Sequence, residues 1–253
     1  MRPLGERRCV LFDVDGTIAE TEGYAHLPAF NRAFEQVGLP WRWSRDDYHR
    51  LLKTAGGFER LLRHAEDIGQ DSEALRVQLT LVHKAKNSHY GQIMAAGAVP
   101  ARAGFAELLR ALHAKAISWG VVTTTSRANW DALWRYSLQP LALPEPSVIV
   151  CGEDVTAKKP DPQAYLIALE RLGLAPDHCC VIEDSRNGLL AAKGAGLDVV
   201  IVASEFFGDE QFEEAQLLVG ELTELLAHVW FHSKRRIQLD DGPIQVSGER
   251  DPS

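Results

Sequence analysis

Only four cysteines occur in the 253 residues of this chain, and no two have the Cys-x-x-Cys spacing. Cys9, Cys151, Cys179 and Cys180 lie in or beside apolar, strand-like runs, so they read as buried reduced thiols. No apolar run approaches the roughly 20 residues of a membrane span. Residues 1–10 carry charges where a signal peptide needs an apolar stretch, so the cytoplasm is the expected compartment and a membrane partner is not expected. Nor is there an excess of positive charge. The net charge is -8 and the pI is near 5.6, which argues against a general nucleic-acid binder, because affinity for a phosphate backbone needs a basic face. There is no GxxxxGK[ST] phosphate loop, and Gly194 and Gly196 supply only two glycines of a GxGxxG fingerprint, so ATP and NAD sites are not expected. No internal repeat is visible.

What remains is an ordinary globular composition, 45% hydrophobic and 25% charged, which fits one large domain or two smaller ones. Five short β-branched or apolar runs, at 9–12, 118–122, 147–150, 179–182 and 199–202, read as buried parallel strands. Helical spacing recurs between them at 129–136, 162–172 and 187–195. The alternation predicts an α/β fold with a doubly wound, Rossmann-like parallel sheet. The gap between the first two strands is too long for one crossover, and it carries amphipathic helical patterns at 27–37, 45–52, 58–67 and 73–90. The expected division is therefore a core of residues 1–20 and 97–230, a helical insert at 21–96, and a loosely ordered tail at 231–253.

Asp13-Val14-Asp15-Gly16-Thr17 directly follows the first apolar run, which places two carboxylates at the carboxyl end of a buried strand, where open α/β sheets build their sites. Alone, it also reads as a strand ending in an Asp-Gly turn. Thr123-Thr124-Thr125-Ser126 ends the second strand, and its hydroxyls can bond a phosphoryl group without adding negative charge, although such residues also cap helices. Lys158-Lys159 follows the third strand, either as a solvated pair or as a neutraliser of phosphate charge. Glu183-Asp184 ends the fourth, with helix capping by Asp184 or Ser185 as the alternative. Four strand ends in chain order thus present carboxylates, hydroxyls, a lysine and carboxylates.

In that order the set resembles the haloacid dehalogenase superfamily, whose four motifs match Asp13 to Thr17, Thr124, Lys159 and Glu183-Asp184 over roughly residues 8–205. The resemblance implies a covalent mechanism. Asp13 would attack phosphorus, and Asp15 would protonate the leaving alkoxide and then activate water. Thr124 and Lys159 would complete the catalytic set, with Mg2+ held by Asp13, Asp184, Glu183 and the backbone carbonyl of Asp15. True haloalkanoic acid dehalogenases lack the second aspartate, so Asp15 points to phosphoryl transfer.

The helical insert after the first motif looks like the cap of the branch that contains β-phosphoglucomutase, phosphoglycolate phosphatase and CbbY proteins. The nearest pattern is CbbY, whose signatures resemble 19–22, His26, 29–31, Gly56-Gly57 with Glu59-Arg60, and His83-Lys84 with Lys86 and Tyr90. Expected substrate contacts are Glu20, His26, Gly56, Gly57, Arg60, Thr125 and Ser126. The bland alternative for His26 is a helix-surface position, and for Gly56-Gly57 a helix break. Trp41 and Trp43 are expected to cover the core of the insert. The implied partner is a small phosphorylated sugar or related metabolite, with xylulose-1,5-bisphosphate among such substrates, and the expected assembly is a monomer or weak homodimer. A phosphomutase, a phosphoglycolate phosphatase and an idle binding protein are the alternatives.

Two departures stand out. Ala103 replaces a proline usual before Gly104, and Phe58 stands where Gly-Gly-Lys-Glu-Arg has its lysine. The second predicts a preference for a monophosphate, or for a sugar with a neutral far end, unless Lys53, Arg60 or Arg63 reaches the same point.

Overall fold

The computed structural model describes residues 4–97 and 99–228; the tail expected at 231–253, and the last two residues of the expected core, lie outside the described residues. Among the described residues six parallel strands form one sheet in the order β3-β2-β1-β4-β5-β6. They are β1 (Cys9–Phe12), β2 (Ser118–Val122), β3 (Val148–Val150), β4 (Cys179–Glu183), β5 (Asp198–Val202) and β6 (Leu217–Val219).

The central strands read as unbroken apolar runs because both faces are covered. Cys9 and Leu11 of β1 enter one apolar cluster, with Val181, Val199 and Tyr165, while Val10 and Phe12 enter the other, with Ile182, Val200 and Trp119. The register aligns Phe12 with Val121 on one side and Ile182 on the other, so β1, β2 and β4 end level with one another. All four cysteines are buried and unpaired.

Helices α5 (Phe105–Ala114), α6 (Arg127–Leu133), α7 (Gln163–Leu172), α8 (Arg186–Gly194) and α9 (Leu222–Ala227) accompany the sheet. The helix read at 129–136 changes character at Trp134, where α6 passes into a π turn (Trp134–Leu138), and the Trp130 and Trp134 rings lie tilted against each other with centroids 5.8 Å apart.

Phe12 ties sheet to helix. It is fully buried and meets the Phe105 and Trp119 rings edge-on at 5.5 and 6.1 Å. Phe12→Ala is therefore expected to cost about 3–5 kcal/mol, read from the urea midpoint. A loss below about 1 kcal/mol would mean that the neighbours collapse into the space.

Between β1 and β2 lie α1 (Leu27–Val37), α2 (Arg45–Leu51), α3 (Gly57–Asp67) and α4 (Glu73–Ala95), with no strand among them. They enclose a third cluster of Phe30, Phe34, Trp43, Tyr48, Leu61 and Val82. Trp43 lies inside this cluster and Trp41 packs edge-on to Phe34 with centroids 5.7 Å apart. The entry to α2 is fixed by a Ser44–Asp47 capping box, and Asn31 pins the preceding segment by exchanging two hydrogen bonds with the Trp43 backbone, at 2.8 and 2.9 Å. Phe206 and Phe207, from the loop after β5, reach across into the same cluster. Among the described residues no helix is long and apolar enough to cross a membrane.

Candidate active site

The level strand ends bring the acidic and basic groups of four loops to one edge of the sheet. Asp13 continues the β1 ladder, donating its backbone N–H to the Ile182 carbonyl at 3.0 Å. The loop then turns at Gly16, whose φ is +88° and where an added Cβ would meet Asp184 Oδ2 at 1.9 Å. Only glycine permits that approach.

Lys159 Nζ donates to Asp13 Oδ1 at 2.6 Å, to Glu183 Oε1 at 2.6 Å and to the Val122 carbonyl at 2.8 Å. Glu183 also accepts from Tyr165 Oη at 3.0 Å, and its second oxygen takes the Asp184 and Ser185 backbone N–H groups at 3.1 and 3.3 Å. Its donors thus hold it as the support of Lys159. Asp184 accepts from Thr17 Oγ1 at 3.3 Å through Oδ1, while Oδ2 is buried without a hydrogen-bond partner.

Asp13, Glu183 and Asp184 are all buried, and each offers an oxygen within 4.8 Å of the others'. Burial, followed by the Glu183 and Asp15 charges, pushes the Asp13 carboxyl up to about 8 against the pull of Lys159. Burial, then the Glu183 and Asp13 charges, holds Asp184 well above the usual carboxylate range. Burial opposes the charge on Lys159, but the Asp13 and Glu183 carboxylates outweigh it and hold the ammonium well above its ordinary value. Three buried carboxylates against one lysine lack positive charge, and the orphaned Asp184 oxygen has no donor. Both features fit a hard divalent cation with oxygen ligands.

The Asp15 side chain stands apart from this triad. It accepts from Thr21 Oγ1 at 2.5 Å and faces His26 Nε2 at 2.9 Å. Burial raises its carboxyl, yet the His26 charge and hydrogen bond, the Thr21 hydroxyl and the Lys86 charge together bring it down to about 2. His26 is buried rather than on a helix surface, and its ring stacks on Tyr90 with centroids 4.5 Å apart.

A cavity opens from Asp15 between the sheet edge and the insert. Of the expected substrate contacts, His26, Gly56, Gly57, Arg60, Thr125 and Ser126 line it, together with Thr124. The structure does not bring Glu20 there. Its carboxylate turns to the Arg102 guanidinium at 3.3 Å, a buried cation that needs a counter-charge. Arg60 reaches the wall but is committed to the Thr54 carbonyl, Tyr48 Oη and Glu22 Oε1 at 3.1, 2.8 and 3.2 Å. Ser126 also caps α6, accepting the Asn129 N–H at 3.3 Å.

Sequence reasoning gave no separate role to Glu22, His83, Lys86, Asn129 or Lys158, all on the cavity wall. For Lys86 a signal exists, since it sits on the buried stripe of α4 with Leu79, Val82 and Tyr90, where a lysine needs a reason. Burial brings its ammonium down to about 7 against the Asp15 and Glu22 charges. Burial and the Lys86 and Lys158 charges bring the His83 imidazole down to about 4, so it is neutral at pH 7.

A parallel sheet with a buried cluster of carboxylates and a lysine at its strand ends is the arrangement of a phosphoric monoester hydrolase, and the comparisons agree. The chain belongs to the haloacid dehalogenase-like hydrolase family, whose model matches residues 7–196. Within it the likeness is to CbbY. The chain is 42% identical over 218 residues to CbbY of Rhodobacter capsulatus, covering 86% of this chain and 95% of that one. The crystal structure of CbbY from Rhodobacter sphaeroides in complex with phosphate matches with a TM-score of 0.79 at 37% identity, covering 87% of this chain and 96% of the other. A mutant of that protein in complex with xylulose-(1,5)bisphosphate matches with a TM-score of 0.79 at 36% identity and the same coverage, 87% and 96%. This chain is a CbbY-like phosphatase.

Proposed function

We propose that the chain is a Mg2+-dependent phosphatase that releases phosphate from a small phosphorylated sugar through an aspartyl-phosphate on Asp13. The observation that carries this reading is the position of Asp13, its Oδ1 held at 2.6 Å by Lys159 beside the partnerless Asp184 oxygen. The relative solved with xylulose-(1,5)bisphosphate supports a sugar phosphate as the substrate class.

An Asp13 oxygen attacks phosphorus, and the bond from phosphorus to the sugar oxygen breaks as the new one forms. Asp15 gives its proton to the departing alkoxide. In the second half Asp15 takes a proton from water, whose oxygen displaces Asp13 and frees inorganic phosphate. With its carboxyl near 2, Asp15 rests as the carboxylate, the form the second half needs. For the first half it must be loaded, and His26 Nε2 at 2.9 Å is placed to pass it a proton.

A carboxylate meeting a phosphate dianion is repelled by about 4 kcal/mol per unit-charge pair at ~4 Å and an effective dielectric of about 20. Lys159 offsets part of this. Asp13, Glu183, Asp184 and the Asp15 backbone carbonyl would hold Mg2+, which supplies the remaining positive charge. Thr124 and the hydroxyls of Thr125 and Ser126 would orient the phosphoryl group and the sugar.

The test is phosphate release across sugar mono- and bisphosphates with Mg2+. No release from any of them, nor from an aryl phosphate, overturns the reading, and isomerisation with a bisphosphate activator but little free phosphate would make the chain a mutase instead. Asp15→Asn should lose at least about 10²-fold in kcat. The loss should be greater for sugar phosphates than for aryl phosphates, whose leaving groups need no proton. Equal losses on both substrates deny Asp15 the acid role.

A further inference from the structure

One buried cation takes no part in the reaction above, although it grips the turn that carries Asp13 and Asp15. That turn closes partly on itself. The Ile18 N–H reaches the Val14 carbonyl at 2.9 Å, the Gly16 N–H reaches the Ala19 carbonyl at 2.8 Å, and Asp15 bridges to Ala19. Two other carbonyls of the turn are held from outside, both by Arg102. Its backbone N–H donates to the Ile18 carbonyl at 2.8 Å, and its Nη1 donates to the Gly16 carbonyl at 2.5 Å.

The same guanidinium donates through Nη2 to the Ala203 carbonyl at 2.7 Å, just past β5, and to the Gly220 carbonyl at 3.3 Å, just past β6. Glu20 Oε1 and Glu221 Oε2, each at 3.3 Å, supply the counter-charge, and the Arg102 side chain is only 6% exposed. One planar fork therefore ties the turn after β1 to the ends of two further strands. The single Nζ of a lysine lacks that reach. Arg102 itself lies on the segment that returns from α4 to α5.

The peptide it grips is close to the chemistry. The Gly16 carbonyl and the Thr17 N–H belong to one peptide plane, and the Thr17 hydroxyl bonds Asp184 at 3.3 Å. The preceding peptide carries the Asp15 carbonyl, assigned above to the cation, and the Asp15 side chain is the acid. A shift of this turn by about 1 Å would displace both groups, which costs on the order of 10²-fold in rate.

We propose that Arg102 is a positioning residue. By holding the Gly16 and Ile18 carbonyls against the ends of β5 and β6, it sets the Asp15 carbonyl toward the cation and the Asp15 carboxyl toward the leaving oxygen. This rests on the phosphatase reading above. A clasp that only joined the insert to the core would support stability alone.

The test measures kcat and KM on a sugar phosphate and an aryl phosphate, the calorimetric Kd for Mg2+, and a thermal melt of the metal-free protein. The variants are Arg102→Lys, Arg102→Met and Glu221→Gln. Arg102→Lys should lower kcat on the sugar phosphate about 10- to 100-fold with KM little changed, and should weaken Mg2+ binding about tenfold. The kcat loss should be smaller on the aryl phosphate, whose leaving group needs no proton. Glu221→Gln, which leaves the Gly16 contact in place, should lower the melt slightly and spare kcat. Where Arg102→Met fails to fold, Arg102→Lys, which keeps the charge, decides. Folded Arg102→Lys protein that keeps kcat and Mg2+ affinity within about twofold overturns the proposal, as do kcat losses that simply follow the melting temperature across the variants. Mg2+ binding weakened about tenfold in folded Arg102→Lys protein upholds it even if wild type releases no phosphate, in which case the phosphatase reading alone fails.

Discussion

Asp13→Asn is expected to lower kcat by at least about 1,000-fold, the scale on which loss of a covalent nucleophile acts. The amide keeps the carboxylate's shape and can still accept the hydrogen bond that Lys159 Nζ now gives Asp13 Oδ1. It cannot attack phosphorus. The fold should survive, and stability should hold or rise, because the substitution removes one of three crowded buried carboxylates. The measurement is single-turnover phosphate release beside a thermal melt. Turnover within tenfold of wild type would remove the covalent mechanism, and a collapsed melt would mean that the carboxylate is structural.

Removal of the metal should be as severe. EDTA is expected to silence turnover and Mg2+ to restore it, while Asp184→Ala should raise the Mg2+ concentration needed for half-maximal rate. Activity indifferent to chelation would take the metal out of the mechanism. A second readout needs no substrate. In the metal-free protein Asp13 is raised from 3.8 to about 8, so between those values the folded chain keeps a proton that the unfolded chain has lost. That contribution is complete below the unfolded value and disappears as pH rises through the folded one. The melting temperature in EDTA should therefore fall as pH rises from about 4 to about 8, and Mg2+ should flatten the fall by making the ionised carboxylates the favoured form. Parallel curves with and without Mg2+ would separate the metal from the Asp13 cluster.

Much of the strand-end cluster was legible in the sequence because its determinants are local. β1 is four apolar residues followed at once by Asp13, and the α1 pattern runs from Leu27 to Val37 as the spacing predicts. The transition from apolar to acidic residues marks a strand end wherever a sheet is covered on both faces, so Glu183 was identifiable by the same rule, though it proves to be the last residue of β4. The sixth strand was not legible. Leu217–Val219 is three residues at the sheet edge, and Leu218 is 59% exposed, so it has neither length nor a buried pattern to announce it.

The sequence by itself determined that two carboxylates, hydroxyls, a lysine and two more carboxylates would stand at successive strand ends, because periodicity and strand-end chemistry are written within a few residues. Only the tertiary structure decided which side chains share a wall with them. Glu20 turns to Arg102, Arg60 is consumed by Glu22, and Lys158 meets a Glu59 that lies 99 positions away in the chain. Of these contacts, the one between Lys158 and Glu59 depends on how the α1–α4 helices sit on the sheet. Charges on separate elements find their partners only after the apolar faces have packed, and no local pattern encodes that distance.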